Sequence, residues 1–156
     1  ETLLYISIFS VVVFMIISIY GVVMDSRVNA RVVSEVTSEG SRIMQIITQT
    51  ARNATLINSP TAGNNATTLS LNVVNVSNNP TMFYMVGNDI VMKEGAGSAI
   101  ILNSNRTKIS GLKFTNLSRG GTKGTIKIEF TISGTSTDLR APFQFSQPFG
   151  SDASLR

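Results

Sequence analysis

Residues 1–54 read "ETLLYISIFSVVVFMIISIYGVVMDSRVNARVVSEVTSEGSRIMQIITQTARNA", and the way this stretch divides decides the fold. Glu1 is followed by 23 residues without a charge. Within them Leu3–Met24 is almost wholly apolar, and a helix in lipid tolerates its Ser7, Ser10, Ser18 and Gly21. As an α-helix this span rises about 33 Å, enough to cross a hydrocarbon core of about 30 Å. A signal peptide would have a shorter apolar region followed by a small-residue cleavage site. Here the pattern runs straight on into charged helix.

From Asp25 the composition turns polar but the helical period persists. Val28, Val32, Val36, Gly40, Ile43, Ile47, Thr50 and Ala54 recur at steps of three and four, which is one stripe of a 3.6-residue helix. Arg27, Arg31, Glu35, Glu39 and Arg42 lie off that stripe. At a spacing of four, Arg31 and Glu35 attract whereas Glu35 and Glu39 repel. No proline precedes Pro60, so one helix of about 50 residues is expected. Gly40 on the stripe predicts a closely packed partner, since glycine there costs roughly 1 kcal/mol of helix propensity against alanine. Such a rod is not stable alone in water: its first half needs lipid or other helices, its second half a cover for the Val/Ile stripe.

The cover must come from residues 55–156. "NATLINSPTAGNNATT" (53–68) reads as a loop. β-like runs then follow: "LSLNVVNV" (69–76), "TMFYMV" (81–86), "DIVMKE" (89–94), "SAIILN" (98–103), "KISGLKFTNLS" (108–118), "TIKIEFTIS" (125–133) and "LRAPFQFSQPF" (139–149). "GN" (87–88) is a hairpin signal that needs positive φ. In 125–133, Ile126, Ile128, Phe130 and Ile132 share one face, opposite Lys127, Glu129 and Thr131. Phe143 and Phe145 are in phase, and Pro142 and Pro148 confine their strand to an edge. The tail "ASLR" reads as a surface terminus. The expected fold is α+β: a long N-terminal helix (1–54) packed against a head (55–156) made of one antiparallel sheet of roughly five to seven strands.

Composition narrows the function. There is no cysteine, hence no disulfide or Cys-based metal site, and no histidine. Hydrolytic or metal chemistry would rest on nine scattered carboxylates, so an enzyme is not expected, nor any catalytic, metal-binding or cofactor-binding residue. Residues 1–100 carry a net charge of −1 and residues 101–156 a net +5, from Arg106, Lys108, Lys113, Arg119, Lys123, Lys127, Arg140 and Arg156. Such an excess attracts an anionic surface or nucleic acid, or is simply a solvated strand face. Asn-X-Ser/Thr triplets begin at Asn53, Asn65, Asn75, Asn105 and Asn116, which are glycosylation acceptors only where the machinery exists. "GAG" and "GG" open no helix and read as turns. Glu1 is either incidental at the membrane interface or a charge that needs a partner. Arg27 and Arg31 follow the span on the wrong side for a head outside the cell, unless a basic leader has been removed.

Taken together, Glu1, the apolar run and the unbroken amphipathic helix resemble the N-terminal segment of type IV pilins and pseudopilins. The resemblance covers residues 1–54; for 55–156 it is architectural only. It implies a basic leader removed by a prepilin peptidase, a membrane-anchored pool, and assembly into a surface pilus filament, a homopolymer, by a membrane platform protein and an ATPase. In such a filament Glu1 would pair with the N-terminal amine of a neighbouring subunit, and Leu3, Leu4, Ile6, Ile8, Phe9, Val12, Phe14, Ile16 and Ile17 would pack the core. Val28, Val32, Val36, Gly40, Ile43 and Ile47 would hold the head. The chain departs from the family pattern in three ways. The family's glutamate is the fifth mature residue, so four residues are expected before Glu1. Gly21 stands as the local breaker where relatives often have proline, a possible melting point. There is no C-terminal disulfide. The function implied is a major pilin serving adhesion, twitching motility or DNA uptake. The rivals are a minor pseudopilin of a secretion or DNA-uptake system, and a non-assembling single-pass surface binding protein.

Overall fold

The computed structural model describes residues 2–119, 124–135 and 143–156. Glu1, Lys123, Arg140 and Pro142 lie outside the described residues. One helix, α1 (Thr2–Arg52), runs through Gly21 and Gly40 without a break. It stops where the Asn53 amide donates to the Gln49 carbonyl at 3.1 Å and the chain turns into β1 (Ala54–Ser59). Ala54 is therefore not the last residue of the helical stripe. It opens a strand, and Ala51 occupies the buried place at the helix end.

The head contains two antiparallel sheets, not one. β3 (Leu69–Val73), β4 (Thr81–Val86), β5 (Asp89–Glu94) and β6 (Ile100–Ile101) join β1 in the order β1-β3-β4-β5-β6. β2 (Asn65–Ala66), β7 (Thr107–Asn116), β8 (Thr125–Thr135) and β9 (Gln144–Ser154) form the second sheet in chain order. The segment 53–68 is thus not a loop, since it supplies an edge strand to each sheet. β3 stops at Val73, and Val76, the last residue of the run expected as strand, opens a 3-10 turn (Val76–Asn78) capped by Asn75.

Other local expectations hold. β4 and β5 pair from Thr81↔Glu94 to Val86↔Asp89 around Gly87, whose φ is +63°. Ile126, Ile128, Phe130 and Ile132 are all buried. β7 contains a bulge between Ser110 and Lys113 with Gly111 at φ +63°, which lets Ile109, Leu112 and Phe114 all face inward. β9 is an edge strand of the second sheet, with Pro148 opposite Thr131. It runs on to Ser154, and Ala153 and Leu155 are buried, so the "ASLR" stretch belongs to the sheet and is not a loose surface segment.

Packing follows from these faces. α1 lies on β8 and β9. Val36, Ile43 and Ile47 are fully buried and share one core with Leu69, Leu71, Phe83, Ile109, Phe114 and the β8 isoleucines. Each such side chain contributes about 1.5–3 kcal/mol by leaving water. Two glycines interlock the layers. A Cβ on Gly40 would come within 2.2 Å of a Phe149 ring carbon, and a Cβ on Gly134 within 2.7 Å of a Val36 methyl. Gly40 thus has the close partner that its place on the stripe predicted. Phe149 in turn stacks on Phe130, with ring centroids 5.6 Å apart.

Candidate functional site

The largest chemical anomaly of the molecule is the first half of α1. From Leu3 to Val23 every residue is exposed. Leu3, Phe9 and Phe14 are 81%, 70% and 77% accessible, levels that a soluble domain does not show over a continuous 20-residue surface. The stretch is long and apolar enough to cross a membrane. Its serines do not spoil it. Ser7 donates to the Leu4 carbonyl at 2.8 Å, Ser10 to Ile6 at 2.8 Å and Ser18 to Phe14 at 2.9 Å. Each hydroxyl is satisfied within the helix, so none enters an apolar medium unpaired. Tyr5 and Tyr20 stand near the two ends, where amphipathic rings suit a membrane interface. Their placement was readable in the sequence, but the apolar run around them masked it.

All the expected core residues of this half, Leu3, Leu4, Ile6, Ile8, Phe9, Val12, Phe14, Ile16 and Ile17, are on this projecting surface and none touches the head. The expected head-packing residues behave in the opposite way: Val32, Val36, Gly40, Ile43 and Ile47 are buried and Val28 is half-buried. The boundary falls between Val23 and Val28.

A second feature, absent from the sequence reading, ties the covered half of α1 to the head. The loop 102–107 clasps the charged flank of α1. Glu39, expected to repel Glu35 off the stripe, is buried; it accepts from the Ser104 amide, the Ser104 hydroxyl at 3.1 Å and the Thr107 hydroxyl at 2.8 Å. Glu35 pairs with Arg106 at 3.8 Å, not with Arg31. Arg42 donates to the Leu102 carbonyl and stands 4.0 Å from Glu39. Asn103 holds the loop itself: its Oδ1 accepts from the Ile90 amide, and its Nδ2 donates to Asp89, Ser104 and Thr107. The repulsion expected at four-residue spacing is removed because the two carboxylates have separate partners on the head.

The remaining candidates are scattered. Asn53, Asn65 and Asn105 are exposed. Asn75 spends its Oδ1 on the Ser77 amide and hydroxyl. Asn116 is buried and donates its Nδ2 to the Pro60 carbonyl at 2.7 Å. Lys108, Lys113 and Lys127 project from the outer face of the second sheet. There Lys127 and Glu129 form an exposed 2.9 Å pair, which raises the lysine above its ordinary pKa and lowers the carboxylate, mainly through their hydrogen bond. A cleft of about 480 Å³ at the far end of α1 is lined by Arg52, Asn53, Asn75, Asn78, Glu94 and Arg156 among others. Among the described residues no three His, Cys, Asp or Glu side chains converge. No protein-family model, no curated protein and no solved structure matches the chain.

Proposed function

We propose that this protein is the structural subunit of a type IV pilus-like surface filament, held in the cytoplasmic membrane before assembly by the first half of α1. The observation that carries the reading is the unequal cover of one continuous helix: Leu3–Val23 is apolar and bare, while Val32–Ala51 is locked under the head. A bare apolar half costs about 25 cal/mol per Å² in water, so it requires lipid or copies of itself. Both environments are apolar, so moving from one to the other costs little, and helix packing and polar pairing decide register.

In this mechanism the residues of the projecting half exchange lipid contacts for contacts with neighbouring helices. The head follows as a rigid body, because Gly40 against Phe149, Val36 against Gly134 and the Glu39 clasp tie it to the second half. Glu1 would neutralise its charge against the amine of a neighbouring subunit, since an unpaired charge in an apolar bundle is strongly unfavourable. The test is to replace Glu1 with alanine and image the cells. Filaments should be lost or sharply reduced. Normal number and length would remove Glu1 from the mechanism. Cysteine at Ser10 should crosslink copies into ladders; exclusively monomeric product would favour a non-assembling anchor.

A further inference from the structure

We propose that Arg27 and Arg31 form a binding site for the phosphate groups of anionic phospholipids on the membrane face nearest the head. The proposal rests on the anchoring half of the proposed function and extends it to lipid choice.

The observation is a contrast among the charges of α1. From Glu35 to Arg42 each charged side chain is engaged by the loop 102–107. Arg27 and Arg31 are exposed and make no ion pair among the described residues. They are four residues apart, so they project from one face, on the flank of the stripe that carries Val28 and Val32. Their height is set by helix geometry. Arg27 lies about 6 Å and Arg31 about 12 Å along the axis beyond Val23. The headgroup layer is roughly 5–7 Å deep on each side of the hydrocarbon. Arg27 therefore sits within that layer, and Arg31 reaches back to it with a long side chain that covers apolar surface on the way. Two guanidinium forks spaced by one turn suit phosphate oxygens, which they bind bidentately. Cations on this side work against insertion with the head outside. Lipids with a net negative headgroup, whose phosphate charge no choline neutralises, convert that cost into attraction in the facing leaflet.

The full chain is reconstituted in bilayers of zwitterionic phosphatidylcholine containing a trace of spin-labelled phosphatidylglycerol or spin-labelled phosphatidylcholine. Electron spin resonance then measures the motionally restricted lipid shell around the protein. The wild type should prefer the anionic label about fivefold, the effect of roughly one arginine–headgroup contact. That preference should fall to near unity in R27Q/R31Q and in about 1 M salt, and be weakened but not lost in R27K/R31K, where the charge remains without the bidentate fork. It should also survive inorganic phosphate at matched ionic strength. Equal association of both labels, an unchanged preference in R27Q/R31Q, or loss of the preference to inorganic phosphate overturns the lipid site while leaving the anchor intact. Absence of any restricted lipid overturns the anchor, and the lipid site with it.

Discussion

Ile43 and Ile47 are fully buried, whereas Ile6, Ile8, Ile16 and Ile17, on the same helix, are 55–64% exposed. The residue type is the same and the backbone is the same; only the cover differs. Buried isoleucines build the stability of the head. Exposed ones lie outside that core, and under the proposed function lipid or another copy buries them. Paired substitutions can break this division. Ile43→Ala should lower the unfolding free energy of the head by about 2–5 kcal/mol through lost transfer and a residual cavity, read as a denaturant midpoint in micelles. Ile16→Ala in the same assay should leave the midpoint unchanged. Equal losses would mean that the two halves are not independent.

The next effect sharpens how the covered half is held to the head. Glu39→Ala leaves the Ser104 amide and the Thr107 hydroxyl without their acceptor. The loss should be about 1.5–3 kcal/mol, the range for hydrogen bonds to a charged group. Hydrogen exchange should quicken in 102–107 before the rest of the head. A smaller effect is expected for Gly40→Ala. Alanine gains about 1 kcal/mol of helix propensity, but its Cβ clashes with the Phe149 ring at 2.2 Å, and overpacking costs about 1–3 kcal/mol. The net loss should be about 1 kcal/mol, relieved in part by adding Phe149→Leu. Relief by the leucine distinguishes a steric clash from a backbone effect.

The smallest effect is the pH response of the Lys127–Glu129 pair. Glu129 has a folded pKa below its ordinary 4.5, so its contribution is full above that value and is lost as pH falls through the depressed range. Lys127 has a folded pKa above 10.5, so its contribution is full below that value and is lost as pH rises through the elevated range. Both groups are exposed, so Glu129→Gln should change stability at pH 7 by little and flatten the shallow acid and alkaline limbs of a melting-temperature profile together, since Glu129 is also what raises Lys127. A change at neutral pH comparable to that of Glu39→Ala would contradict the ranking.

What the sequence made legible follows from where the physics is local. The helix, its stripe and its bare half are periodicities within one element, readable from Val28 to Ile47. The Gly87 hairpin and the alternation of Ile126–Ile132 are equally local. The two sheets are not. β1 pairs with β3 and β2 with β7, across separations that leave no mark on neighbouring residues. β1 and β2 are hidden in Asn, Thr and Gly because they are edge strands with few inward side chains; Thr55, Leu56, Asn58 and Asn65 are exposed. The Glu39 clasp was also invisible, since its donors lie 65 to 68 residues away. A glutamate beside the stripe looks like a solvated charge until the loop that covers it is placed.

The most direct test is cryo-electron microscopy of material sheared from cells that make this protein. The expected result is a helical polymer with residues 3–23 of many copies bundled at its axis and the two-sheet heads outside. Single copies confined to the membrane fraction, with no filament in the sheared material, would contradict it.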